Sequence, residues 1–255
     1  MFRGETVSSR GVTQRDFVLE VEARTVPGVL WQPDAAAGTR PLVLLGHGGS
    51  GHKREEYILA LARRLVRHLG FAAAAIDGPH HGDRRADGGL DRDAVWEERQ
   101  RDRSGPDMTD AMVADWKAAL NWLRGEIGPG PVGYWGLSMG TVYGLPFVAA
   151  EPRVEAAVLG LMGAAPGPVD DVYRERMRNR FAVDAPATEI PLLFLVQWDD
   201  ELVAREDAIH LFGLFGSSRK AMHVNVGRHG AVPAVEYDAS ERFFEELLAP
   251  APVGA

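Results

Sequence analysis

The stretch "GYWGLSMGTV", residues 133–142, decides how the rest of this chain is read. Ser138 has a glycine two positions away on either side, Gly136 and Gly140. A short apolar run precedes it and a helix-like run follows. In that setting the glycines let the backbone turn sharply, and the serine hydroxyl is raised above a sheet edge at the start of a helix. At this glycine content the Gly-x-Ser-x-Gly pattern arises by chance in on the order of one chain in ten. The strand–turn–helix setting therefore carries more weight than the pattern. The competing reading is an ordinary small residue in a glycine-rich connection.

The flanking sequence alternates in type. "PLVLLGHG" (41–48), "FAAAAID" (71–77), "VGYW" (132–135), "VEAAVLGLM" (154–162), "PLLFLVQW" (191–198) and "KAMHVNVG" (220–227) are short apolar runs, most of them suited to strands buried on both faces. Between them lie amphipathic stretches. Tyr57, Leu61, Leu65 and Leu69 recur at four-residue spacing before Gly70, and Met112, Trp116, Leu120 and Leu123 share a face in 107–125, again closed by glycine. Pro146 is expected to bend or shorten the helix after Ser138. Residues 234–248 read as a closing helix, and "FVLEVEA" within the first 33 residues alternates as in a β-hairpin or meander.

Such alternation predicts an α/β fold, a mostly parallel sheet with helices on both faces and right-handed crossovers. Ligands in these sheets bind at the carboxyl ends of the strands. Functional residues should therefore stand just after strands, and the whole of 1–255 is expected to form a single domain.

A serine hydroxyl is a weak nucleophile at neutral pH and needs a base within hydrogen-bond reach. Of the eight histidines, His68 and His210 fall in helix-like runs and His223 within a strand, which suits structural roles. His229, in "VGRHGAVP", directly follows the last strand on a glycine-containing loop and is the best-placed base. A carboxylate is then needed to orient the imidazole. "QWDDELV" offers Asp199 and Asp200 at the end of the penultimate strand, and either can serve, the other capping the next helix or standing in solvent. The order nucleophile, acid, base matches one known triad type. An oxyanion requires donors as well. The Met139 amide, next after the serine, is one candidate. "GHGGSG" (46–51) would bring the Gly49 amide as a second, or is simply a turn.

Through "LLGHGGSG", "IDGPHHGD", "GLSMG", "QWDDELV" and "GRHGAVP" the chain resembles the α/β-hydrolases from about residue 25 to 248. It looks most like the dienelactone-hydrolase-like and peptidase-like serine esterases. The resemblance implies an eight-stranded, mostly parallel sheet and hydrolysis through an acyl-enzyme. It also implies Ser138 as nucleophile, Asp200 as acid (an acid three residues before an apolar one, here Val203) and His229 as base. Two departures stand out: dienelactone hydrolases use cysteine, which is missing here, and Gln197 occupies a position where many relatives have glycine.

Further segments bear on the substrate. Residues 82–105 are highly charged and read as a flap over the site or as a solvated loop with a short helix. Residues 165–188 read as a cap segment, in which Tyr173 and Met177 share an apolar face and nearby arginines could meet a substrate carboxylate. His47, His81 and Trp198, each beside a strand end, are further candidates for substrate contact. Asp77, His80, His81 and Asp83 include good metal-ligand types, but adjacent histidines in a tight loop rarely face one ion, so neither metal nor cofactor is expected.

Composition bounds the remaining possibilities. The 255 residues carry a net charge of −8, which argues against a nucleic-acid partner. With no cysteine, disulfides and thiolate chemistry are excluded. Neither a signal-peptide core nor a run of about 18 apolar residues is present, so the expectation is a cytoplasmic protein with no membrane partner. A small-molecule ester is the expected substrate. The same apparatus would also serve amide or peptide hydrolysis, thioester release or acyl transfer, and the fold can be kept by a binding protein that has lost its chemistry. Oligomeric state is left open.

Overall fold

In the computed structural model, residues 1–34, 38–85, 94, 97 and 107–249 are described. They form a sheet of nine strands: β1 (Phe2–Ser9), β2 (Val12–Val21), β3 (Arg24–Pro33), β4 (Leu42–Gly46), β5 (Ala72–Ile76), β6 (Val132–Leu137), β7 (Val154–Gly160), β8 (Leu192–Gln197) and β9 (Lys220–Asn225). Their spatial order is β1-β2-β3-β5-β4-β6-β7-β8-β9. Every neighbouring pair from β5 to β9 is parallel, whereas β1, β2 and β3 pair antiparallel and join the sheet through β3 and β5. The resemblance implied eight strands. Nine are present because the N-terminal meander contributes three, the outermost of which, β1, is largely exposed.

Strands β4, β5 and β6 are buried at every position because both faces are covered. Leu42 and Leu44 of β4 enter one core with Tyr134 and Phe194, while Val43 and Leu45 enter the other with Trp135 and Leu195. Side chains of a strand alternate between faces, so one run feeds two cores. Each buried leucine contributes roughly 1.5–3 kcal/mol. The first face is covered by α2 (Thr109–Ile127), α3 (Met139–Ala150), α4 (Val172–Ala187) and α5 (Arg205–Leu214). The opposite face is covered by α1 (Glu56–Leu69) and α6 (Ala234–Leu248).

Helix ends follow the local chemistry. Gly70 ends α1 at φ 69°, a left-handed conformation suited to glycine. One expectation is corrected: helix α2 runs through Gly125 and stops at Gly128, φ 82°, since Ile127 is still buried in the core. Of the two effects expected of Pro146, shortening does not occur, and helix α3 continues to Ala150. The fully buried Leu145 and Phe147 on either side of the proline offset its lost hydrogen bond. Residues 165–188 contain α4, which packs on the sheet through Met177, Phe181 and Ala185, and of 82–105 only 82–85, 94 and 97 are among the described residues.

Candidate active site

Ser138 links β6 to α3 with φ 57° and ψ −119°. A non-glycine residue there stores on the order of 1–3 kcal/mol of strain and persists only where its surroundings fix it. Here they do. A Cβ on Gly136 would lie 2.7 Å from the Gly140 carbonyl oxygen, and one on Gly140 would lie 2.5 Å from that of Gly46. The Ser138 amide donates to Gly160 O at 2.9 Å, and the Thr141 hydroxyl lies 2.8 Å from Gly136 O and 2.7 Å from Gly160 O. The buried Tyr134 hydroxyl donates to Gly140 O at 2.7 Å. The glycines of the motif are thus required by close backbone approach, and the turn is tied to both β4 and β7.

His229, on the loop after β9, brings Nε2 to 2.8 Å from Ser138 Oγ. Its Nδ1 lies 2.7 Å from Asp200 Oδ2. Of the two adjacent aspartates it is therefore Asp200 that meets the imidazole. Its other oxygen, Oδ1, accepts the amides of Leu202 at 2.8 Å and Val203 at 2.9 Å. These bonds hold the carboxylate in one orientation, and its side chain is 3% exposed. The neighbouring Glu201 accepts the His229 amide at 3.0 Å, and that bond, first among its causes, holds the Glu201 carboxyl below its ordinary range.

Met139 is the first residue of α3, where amides have no partner inside the helix and the helix dipole is positive. The amides of Thr141 and Val142 are taken by Ser138 O. Across the sheet crevice, Gly49 lies on the loop after β4. Its carbonyl is 3.0 Å from His81 Nε2, and the amide of the preceding Gly48 donates to Tyr57 Oη at 2.6 Å. Among the described residues no hydrogen bond engages the amide of either Met139 or Gly49.

Ser138, Asp200 and His229 line a cavity of about 510 Å³ together with Tyr173, Met177 and Val203. Tyr173 and Met177 come from α4. Arg174 of the same helix also faces the cavity, but its guanidinium is 3.0 Å from Asp207.

The other candidates for substrate contact stand elsewhere. His47 and His81 are 2% and 3% exposed and do not line the cavity. His47 Nε2 accepts the Gly78 amide at 2.8 Å and its Nδ1 lies 2.8 Å from Gly48 O. Burial, then the neighbouring His81, pushes its imidazole well below the ordinary range, so it is neutral. Both rings tie the loop after β4 to the loop after β5. Trp198 is 44% exposed and lies under the Arg205 guanidinium, 4.5 Å from its ring centre. Position after a strand places a residue at the right rim but does not say which way its ring points. Asp77, from the same histidine-rich loop, is paired with Lys53. No group of three or more metal-ligand side chains is gathered among the described residues, and no described helix is long and apolar enough to cross a membrane.

Sequence reading gave no role to Lys53 and Glu201, and took Tyr57 only as part of the apolar face of α1; all three hold the loops at the rim through partners outside their own elements.

No family model and no curated protein matches this chain. Solved structures do. A cold-adapted esterase from an Arctic intertidal metagenomic library, determined as a PEG-bound complex, is 42% identical, with 97% of this chain and 99% of that one covered and a TM-score of 0.81. A dienelactone hydrolase from Anabaena variabilis shares the fold at 19% identity, with 94% and 100% covered and a TM-score of 0.67. An acylaminoacyl peptidase from Pyrococcus horikoshii shares it at 14% identity, with 96% of this chain but 43% of that longer one covered, again at a TM-score of 0.67. The chain belongs to the same esterase family as the Arctic metagenomic enzyme, and its fold is that of the α/β-hydrolases.

Proposed function

We propose that this protein hydrolyses small carboxylic esters through an acyl-enzyme on Ser138, with His229 as general base and Asp200 as its orienting acid. The observation that carries this reading is the unbroken chain Ser138 Oγ, His229, Asp200 at 2.8 and 2.7 Å. With its proton on Nδ1 shared with Asp200, His229 presents the Nε2 lone pair to the serine hydroxyl. As Ser138 Oγ attacks the ester carbonyl, the hydroxyl proton passes to Nε2, and the Asp200 carboxylate stabilises the imidazolium. The carbonyl oxygen gains negative charge and accepts hydrogen bonds donated by the amides of Met139, at the positive end of α3, and of Gly49, on the loop after β4. The imidazolium then protonates the departing alcohol. A water, deprotonated by the same Nε2, releases the acid and restores the serine.

An ester is favoured by the kinship with an esterase at 42% identity and by a cavity whose size suits a small molecule. No metal or cofactor enters this scheme. Replacing Ser138 by alanine tests it. Turnover of p-nitrophenyl acetate should fall by about 10⁴- to 10⁶-fold, while a non-reactive substrate analogue is still bound. Full turnover in Ser138→Ala would overturn the assignment.

A further inference from the structure

We infer that Gln197 is a positioning residue for the base: its side-chain amide clamps the loop that carries His229 and so sets the distance from the imidazole to Ser138. This rests on the triad reading above. Gln197 ends β8 and is 1% exposed. Its Nε2 donates to Arg228 O at 3.2 Å and to Ala231 O at 2.8 Å, the carbonyls on either side of His229. A single NH₂ group has two protons, and both are spent on this one loop. The loop itself is a turn closed by Ala231 N and Arg228 O at 2.9 Å. Gln197 therefore reaches across the turn from inside the sheet, while Glu201 holds the His229 amide from outside.

The surroundings are shaped for this amide. Gly227, at φ 139°, would bring a Cβ to within 3.2 Å of Gln197 Nε2, so a side chain there would crowd the clamp. The backbone continues the same tie, with Trp198 N donating to Asn225 O at 2.7 Å and Asp199 N to Gly227 O at 3.1 Å. Asp200 follows on the same stretch. Acid and base are thereby mounted on one rigid piece, and Gln197 is the buried side chain that joins its two halves. Gln197 Oε1 has no partner among the described residues, so it is the donor side of the amide that engages the protein.

Two variants test the clamp. Gln197→Met keeps the length but has no donor, and Gln197→Glu keeps the shape but replaces the donors with oxygen. Rates on p-nitrophenyl acetate are normalised to active sites titrated with a fluorophosphonate, and folding is followed by Tm. The downfield Nδ1 proton of His229 is followed by NMR. A displacement of the imidazole by about 1 Å predicts up to a 100-fold fall in kcat per titrated site with KM little changed, together with a broadened or lost Nδ1 resonance. If either variant folds and keeps both kcat per site and the resonance, the clamp is refuted, whatever its Tm. Failure of the triad reading would appear differently, as a wild-type protein whose Ser138 takes no fluorophosphonate.

Discussion

Lys53 Nζ lies 2.5 Å from Asp77 Oδ2, and the two side chains are 2% and 0% exposed. This ion pair locks the loop that carries Gly49 to the loop after β5. Asp77 also accepts the amides of Lys53 and Asp83, each at 2.9 Å, while the ammonium reaches Asp83 at 2.7 Å, a carboxylate whose side chain is 60% exposed. Removing one partner of a buried pair leaves an uncompensated charge and costs about 3–5 kcal/mol. An exposed pair is worth about 0–1 kcal/mol. Lys53→Met should therefore destabilise the protein by the larger amount and Asp83→Asn by the smaller, as read from urea unfolding. Equal losses would show that Asp77 is not the dominant partner.

His47 makes stability depend on pH. Its folded-state value lies well below the ordinary 6.5, so between the two the unfolded chain binds a proton that the folded protein does not. Its contribution is complete above 6.5 and declines as pH falls below that value. Between pH 7.5 and 5.5 the wild type should lose more stability than His47→Gln, which has no such proton. Parallel losses in the two proteins would contradict this.

Gly140 and Gly125 both sit in helices, but an added methyl group meets opposite surroundings. At Gly140 the Cβ would be 2.5 Å from Gly46 O, and at Gly125 nothing lies within 4 Å. Gly140→Ala should cost about 1–3 kcal/mol by forcing α3 away from β4 and should lower activity through the displaced Ser138 turn. Gly125→Ala should stabilise by about 0.5–1 kcal/mol. Thermal or urea unfolding of the pair reads the contrast, and a stable, fully active Gly140→Ala would count against the close-approach argument.

Met177 is buried on α4 and borders the same cavity as Ser138. Tryptophan at this position should shorten the acyl chain that fits. The ratio of kcat/KM for p-nitrophenyl hexanoate to that for the acetate should drop by about 10-fold or more. An unchanged ratio would mean that the acyl group lies away from α4.

The parts of this protein that were legible in sequence are those written in local pattern. The Ser138 turn shows because Gly136 and Gly140 must be glycine for backbone to meet backbone, and buried strands show as unbroken apolar runs. Asp200 and His229 were reachable because an α/β sheet collects its strand ends at one rim. What was not legible depends on side-chain direction or on distant partners. His47 and His81 follow strands yet turn inward to bind loop carbonyls and an amide. Gln197 could be seen as a departure from glycine, but its partners lie 31 and 34 residues away. The count of eight strands came from the resemblance, whereas the alternating residues near the N-terminus already read as a hairpin or meander, which is where β1, β2 and β3 stand.

The central claim is a covalent acyl group on one hydroxyl, and rapid quench with mass spectrometry measures it directly. During turnover of p-nitrophenyl acetate, acid quenching should trap one acetyl group per chain on the peptide that contains Ser138, matched by a burst of p-nitrophenolate. Sustained hydrolysis with no acetyl group on Ser138, or with the group on another side chain, would contradict the account.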